Sequence, residues 1–185
     1  MVLYFNPQLN TSGLVTVAGG GTGASTAQGS AANLRYPYLL AQTTAAISSS
    51  NSTSEQTLST FTIPAGAMGS NGIIELYVSG TLTSSVNNKQ LVVRLGGVSG
   101  TILAAPIFTT NSAYNLKLTL TNVNSVSSQF ATAFCNRTAD LVATTTTPVA
   151  SSIDTSVAVD IVIACIKATG TETFTVQKAF ATLQV

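Results

Sequence analysis

The stretch "YNLKLTLTN", from Tyr114 to Asn122, alternates between apolar and polar side chains as far as Thr121. A repeat of two residues is the period of a β-strand, in which successive side chains point to opposite faces. The residues on its apolar side are Tyr114, Leu116, Leu118 and Leu120. The stretch therefore predicts a half-buried strand whose leucines face a core.

The same alternation recurs in three other stretches, "GIIELYVSGTLT", "SVAVDIVIACIK" and "TETFTVQKAFATLQV". The aligned apolar residues of these predicted strands are Ile74, Leu76, Val78 and Leu82, then Val157, Val159, Ile161, Ile163 and Cys165, and finally Phe174, Val176 and Phe180. Further strands are predicted at 56–63, 91–95, 101–109, 127–135 and 141–147.

Turn-forming segments separate the predicted strands, among them "PAGAMGSNG", "GGVSG" and "ATGTE". No amphipathic helix pattern lies between the strands, and short strands at this spacing are typical of an antiparallel sandwich or barrel. The strands carry little charge on either face, which favours packing on both sides. We therefore expect an all-β antiparallel sandwich of jelly-roll type that packs against copies of itself, as a homotrimer.

Residues 1–54 differ from the rest of the chain because they lack a sustained period. Gly, Ser, Thr and Asn separate their short apolar clusters, and the polar stretch "SSSNSTSE" at 48–55 is typical of a linker. A segment so poor in apolar surface does not fold alone. We predict an extended attachment arm and linker at 1–54, followed by a β-sandwich domain at 55–185.

The composition argues against several functional classes. Charged residues make up 7% of the 185 residues and the net charge is +1, whereas ordinary soluble domains contain roughly 25% charged residues. Such a surface does not attract nucleic acid or acidic lipid. No apolar run has the roughly 18 residues of a membrane helix, and "MVLYFNPQL" lacks the basic start of a secretory signal. We expect no nucleic-acid and no membrane partner.

The glycine cluster "GGGTGA", Gly19 to Ala24, fits the G-x-G-x-x-G/A pattern of a dinucleotide-binding turn. That fold also needs an acidic residue roughly 20 positions later to bind the ribose, but no Asp or Glu precedes Glu55. The chain has no parallel strand–helix–strand pattern here and no Gly-Lys-Ser/Thr. We therefore expect no cofactor and interpret the glycines as a flexible segment or a tight turn that needs positive φ.

Catalytic and metal-binding groups are scarce. Histidine is absent, which removes the commonest general base and a common metal ligand. Asp154 and Asp160 share a strand face by parity, but six residues at about 3.3 Å each separate them too widely for a glycosidase pair in a straight strand. Cys135 and Cys165 either form a disulfide or pack as small buried side chains, and a reducing cytoplasm favours the second alternative. We expect no metal site and no enzyme.

Two segments resemble bacteriophage virion proteins. "VAGGGTGASTAQGSAANL" resembles a "GGTGA-T-A-A---NL" segment of tail fibres and related appendages, which lies near the junction between an anchor or stalk and a later domain. Its matching residues are Gly20, Gly21, Thr22, Gly23, Ala24, Thr26, Ala27, Asn33 and Leu34. This chain continues as "NLRY", where the family more often has Asn-Leu-Gly.

The second segment, 54–97, resembles the start of jelly-roll-type domains in phage structural proteins, where an "IPAG-MG-NG" turn is followed by an "NNK-L-VRLGG" hairpin. The turn residues here are Ile63, Pro64, Ala65, Gly66, Met68, Gly69, Asn71 and Gly72. The hairpin residues are Asn87, Asn88, Lys89, Leu91, Arg94, Leu95, Gly96 and Gly97. The resemblance implies a virion protein of a kind that is often trimeric.

These resemblances imply a structural protein of the virion, assembled in the host cytoplasm. We expect a capsid decoration (cement) protein or head fibre that binds the major capsid protein through its arm. The alternative is a short tail fibre or tail-tip protein that contacts a tail protein and binds a host surface glycan. The residues expected to form the attachment arm are Leu3, Tyr4, Phe5, Leu14, Val15, Val17, Gly20, Gly21 and Gly23. Leu3 to Phe5 either insert into a partner's groove or pack back onto their own sandwich.

Overall fold

The predicted alternation produces thirteen strands within residues 37–137, 144–145 and 148–185, the part of the chain that this computed structural model describes. In chain order they are β1 (Tyr38–Gln42), β2 (Ile47–Ser48), β3 (Gln56–Ile63), β4 (Ile73–Leu82), β5 (Lys89–Leu95), β6 (Thr101–Ala104), β7 (Ile107–Phe108), β8 (Ala113–Asn122), β9 (Gln129–Arg137), β10 (Thr144–Thr145), β11 (Val149–Ser151), β12 (Val159–Lys167) and β13 (Phe174–Gln184). No helix forms in these ranges.

The strands form two antiparallel sheets that pack face to face. The large sheet has the order β1-β13-β4-β8-β9-β10, with β2 added to β13 and β11 added to β9. The small sheet has the order β3-β12-β5-β6, with β7 added to β5. Successive strands β3, β4 and β5 alternate between the sheets, as do β12 and β13. The predicted all-β sandwich of jelly-roll type is confirmed.

The core lies between the sheets and is built from the inward half of each alternating strand. Leu116, Leu118 and Leu120 of β8 are fully buried, and so are the inward residues of β4 that they face in the sheet. Each such leucine stabilises the fold by about 1.5–3 kcal/mol relative to an exposed one. Gly80 lets β4 approach β13 closely, because a Cβ there would lie 1.9 Å from the Thr175 carbonyl oxygen.

Three details of the predicted strands are wrong. In β13 the register shifts between Val176 and Lys178, and this bulge reverses the alternation. Phe180 therefore points outward, while Ala179 and Ala181 take the inward positions.

The other two details concern strand ends. Val157 precedes β12 and is exposed rather than aligned with the core. The strand predicted at 101–109 is interrupted before Pro106, because proline cannot donate to the ladder.

Part of the segment predicted as arm and linker belongs to the large sheet. Tyr38 pairs with Leu183 and Ile47 with Val176, so β1 and β2 both extend the ladder of β13. Residues 1–36 lie outside the described residues, as does most of the strand predicted at 141–147. The boundary between arm and sandwich at 54/55 stays a prediction.

Candidate functional site

Most of the site residues predicted from sequence lie outside the described residues. This applies to the whole predicted attachment set, Leu3, Tyr4, Phe5, Leu14, Val15, Val17, Gly20, Gly21 and Gly23. The described part of the chain offers the surface of the sandwich as a candidate site.

The two cysteines are buried and unpaired. Burial raises the pKa of both the Cys135 and the Cys165 thiol to about 11. A thiol with such a pKa stays protonated at neutral pH, and only the thiolate is a good nucleophile. The interpretation of the cysteines as small buried side chains is confirmed.

Asp154 and Asp160 line one open cleft of about 390 Å³ beside Gly96 and Gly97. Asp154 lies in the loop before β12 and not in the strand, so the straight-strand separation does not apply to it. Both carboxylates are engaged: Asp160 Oδ1 accepts a hydrogen bond from the Thr62 hydroxyl at 2.7 Å, and Asp154 Oδ1 accepts one from the Ser156 amide at 2.8 Å.

The pKa values of two carboxyl groups, Asp154 and Glu55, lie below their ordinary values. Hydrogen bonds from Ser156 lower the pKa of Asp154, and the ion pair with Arg94 lowers the pKa of Glu55. A general acid of a glycosidase needs a raised pKa. Within the described ranges, no three His, Cys, Asp or Glu side chains come together as a metal site.

The turn at 64–72 joins β3 to β4 and is held by the buried amide of Asn122. Gly66 and Gly69 have φ values of +67° and +56°, which favour glycine. Asn122 Nδ2 donates to the Gly69 carbonyl at 2.6 Å and to Thr155 Oγ1 at 2.9 Å. Residues 64–72 are thus fixed against the loop that precedes β12.

The sequence interpretation missed a buried ionic cluster at the opposite end of the strands. Lys89 Nζ lies 3.7 Å from Glu172 Oε1 and donates to Ser85 and to the Asn87 carbonyl. Lys167 Nζ donates to three carbonyl oxygens, those of Ser50, Gly170 and Glu172, at 2.6–3.0 Å. The sequence does contain a sign of this burial, because Lys167 is the next alternate residue after Ile163 and Cys165 and so lies on the same inward side of β12. The hydrogen bonds of this cluster connect loops to one another, so we interpret the cluster as structural.

The outer face of the small sheet is covered by the chain itself. Val92, Val162 and Ala164 point away from the core, yet each is at most 2% exposed. Arg94 on β5 makes a bidentate ion pair with Glu55, which precedes β3, at 2.8–2.9 Å. Since β12 lies between β3 and β5, this pair crosses over β12. We call the surface formed by the outward residues of β3, β12 and β5 the bridged face.

The outer face of the large sheet has no such cover among the described residues. A row of directly opposed residues crosses four strands: Phe180, Tyr77, Lys117 and Phe134. The Tyr77 and Phe180 rings stack at 4.8 Å between centroids and 13° between planes. Lys117 Nζ lies 5.3 Å from the Tyr77 ring centroid on the other side. We call the outward residues of β1, β13, β4, β8 and β9 the open face.

Large apolar side chains are exposed at both borders of the open face. Phe130 and Phe134 on β9 are 46% and 43% exposed, and Leu39 on β1 is 52% exposed. These are three of the ten large apolar side chains that are exposed among the described residues, and they include both exposed phenylalanines. Exposed apolar side chains that form a patch mark an interaction surface. Between them lie threonine hydroxyls, among them those of Thr119 and Thr132.

Two of the three charged groups on the open face, Glu75 and Lys117, compensate each other. Lys117 Nζ lies 2.7 Å from Glu75 Oε1, and the Tyr77 hydroxyl donates to Glu75 Oε2 at 3.1 Å. The hydrogen bond to Glu75 raises the pKa of Lys117, and the same bond lowers the pKa of Glu75. Lys178 is tied to Gln42 Oε1 and to the Thr43 carbonyl at the border.

Comparisons with known proteins leave the family open. No family model matches the chain, and no curated protein matches it. Lectin I from Ulex europaeus, solved with the methyl glycoside of α-L-fucose, superposes with a TM-score of 0.37 at 11% identity over 61% of this chain and 72% of that chain. A structure of infectious bursal disease virus, Gx strain, superposes with a TM-score of 0.26 at 10% identity over 81% of this chain and 40% of that chain. Likeness at this level carries no argument about ligand or partner.

The described ranges contain no helix long and apolar enough to cross a membrane.

Proposed function

We propose that this chain is a bacteriophage virion structural protein without catalytic activity, a capsid decoration or head-fibre protein that binds the assembled shell through its N-terminal segment. The observation that carries the proposal is the open face. It presents exposed Phe130 and Phe134 together with the compensated Glu75–Lys117 pair, which suits a surface that is buried in an assembly. The two sequence resemblances to phage proteins indicate that this assembly is a phage virion.

The proposed action is thermodynamic. A protein that binds only the assembled shell stabilises it by mass action, because binding lowers the free energy of the assembled state alone. Binding across the junctions between capsomers would oppose their separation. The attachment residues proposed for this are those near Leu3–Phe5 and Leu14–Val17.

The experiment that tests this proposal is quantitative mass spectrometry of purified particles, with the major capsid protein as the internal standard. A copy number close to that of the shell subunits supports capsid decoration, whereas a handful of copies places the protein on the tail. Deleting residues 1–10 tests the arm: the variant should no longer enter particles, and normal incorporation would contradict an anchoring role.

A second candidate function is a short tail fibre or tail-tip protein that binds a host surface glycan. The observation that favours it is the juxtaposition of exposed aromatic rings with the hydroxyls of Thr119 and Thr132, since sugars stack on rings and hydrogen-bond to hydroxyls. A glycan array with the purified protein tests it. Reproducible binding that is lost in Phe134→Ser supports this function, and an array without binding removes its support.

A further inference from the structure

The open face has the size of a stable protein interface. Its five strands contain 45 residues in all, and each residue covers about 4.8 by 3.4 Å, which gives an area of roughly 700 Å². A standard interface takes about 800 Å² from each partner. A small ligand would cover only a fraction of the exposed apolar side chains, because Leu39 and Phe134 lie on opposite borders of the face.

The ion pair of the open face also suits an apolar occupant. Glu75 and Lys117 pair with each other, so burying the middle of the face leaves neither charge without a partner. The third charge, on Lys178, lies at the border of the face and donates to neutral oxygens of Gln42 and Thr43. The row of Phe180, Tyr77, Lys117 and Phe134 is continuous across the paired strands β13, β4, β8 and β9. A surface of this kind is complementary to another surface rich in apolar side chains.

We infer that the open face packs against a second copy of this chain. The chain carries a net charge of +1, so two copies repel each other weakly and apolar burial decides the association. The Tyr77–Phe180 stack provides a rigid aromatic centre, and Phe130 and Phe134 provide the anchors beside it. The inference concerns the free protein and does not depend on the proposed virion role.

Light scattering coupled to size-exclusion chromatography tests the inference on the full chain. The wild type should elute as an oligomer of the 18.9 kDa chain. Phe134→Ser should weaken self-association by at least about thirtyfold, the usual effect of truncating an aromatic anchor at an interface. Ile102→Ser is the matched control, because Ile102 is also 43% exposed but lies on β6 of the small sheet.

A second pair of variants separates loss of association from loss of folding. Thr132→Asp adds a charge to the open face without removing a packed side chain, since Thr132 is exposed. Thr60→Asp adds the same charge to the bridged face. Circular dichroism should show folded protein for both, and only Thr132→Asp should yield monomers.

Three outcomes would overturn the inference. A monomeric wild type at micromolar concentration would show that no second copy covers the face. Oligomers that persist in both Phe134→Ser and Thr132→Asp would place the contact elsewhere. Oligomers lost only on deletion of residues 1–36 would assign association to that segment.

Discussion

The two outer faces of the sandwich are built by the same alternation of side chains, yet they differ in what covers them. On the bridged face, Val162 and Ala164 are buried and the Arg94–Glu55 pair joins the flanking strands, whereas on the open face Phe130 and Phe134 remain near half exposed. The bridged face therefore contributes to the stability of the single chain. The open face contributes little until another surface covers it, which is the physical difference between a core and an interface.

The largest expected contrast comes from placing one carboxylate on each face. Ala164→Asp buries an unpaired charge at a position with no exposed surface, and we expect a loss of about 3–5 kcal/mol in the free energy of unfolding. Thr132→Asp on the open face should change it by less than about 0.5 kcal/mol. Urea unfolding in dilute solution measures both, and equal losses would contradict the distinction between the faces.

The next largest effect concerns residues 49–55, which lead to the ion pair between Glu55 and Arg94. Lys167→Met leaves the carbonyl oxygens of Ser50, Gly170 and Glu172 without their donor, and we expect a loss of about 3 kcal/mol. Limited proteolysis should cut the 49–55 segment faster. The control is Lys178→Met, an exposed lysine at the border of the open face, which should retain the wild-type cleavage rate.

A smaller effect is expected from the Arg94–Glu55 ion pair itself. Arg94→Met should cost no more than about 1 kcal/mol, because the pair is partly exposed and screened by solvent. The ion pair lowers the pKa of Glu55, so its contribution is present above the ordinary glutamate pKa and is lost as the pH falls through the lowered value. Between pH 7 and pH 3, the free energy of unfolding should fall more for the wild type than for Arg94→Met. If the free energy of unfolding falls equally in both proteins, the Arg94–Glu55 ion pair adds nothing to stability.

The smallest effect concerns the ion pair of the open face. The pKa of Glu75 is lowered by Lys117, so the pair is intact at neutral pH and is lost as the pH falls below the ordinary glutamate range. Protonated Glu75 leaves Lys117 unpaired, and self-association should weaken modestly. Sedimentation velocity should show this change in the wild type and not in Glu75→Gln. A pH dependence that persists in Glu75→Gln would assign it to other carboxyl groups.

The sequence predicted much of the sandwich because alternation and turn residues are local signals. Leu116 on β8 and Ile74 on β4 lie inside as expected, and Gly66 and Gly69 form the expected turn. The bulge that turns Phe180 outward could not be predicted, because it depends on the pairing of β13 with β4. Alternation is preserved on either side of such a bulge, so the pattern alone does not locate it.

The candidate site was harder to predict than the fold. Outward apolar residues such as Val162 and Phe134 look alike in the sequence, and only the strand order decides which of them is covered. Arg94 and Glu55 are 39 positions apart, so their bridge over β12 follows from topology and not from spacing. The burial of Lys167 follows from parity, but its carbonyl partners come from loops whose course no local pattern predicts.

The position of β12 and β13 within the sheets has a consequence for the nascent chain. β12 lies between β3 and β5, and β13 lies between β1 and β4. These four strands therefore lack a neighbour in the sheet until the two later strands have been synthesised. Until β12 and β13 have left the ribosome, those strands present unpaired edges and apolar faces to solvent. Polypeptides that stop after β9 should therefore aggregate or recruit chaperones, because the earlier strands lack central neighbours on which to fold.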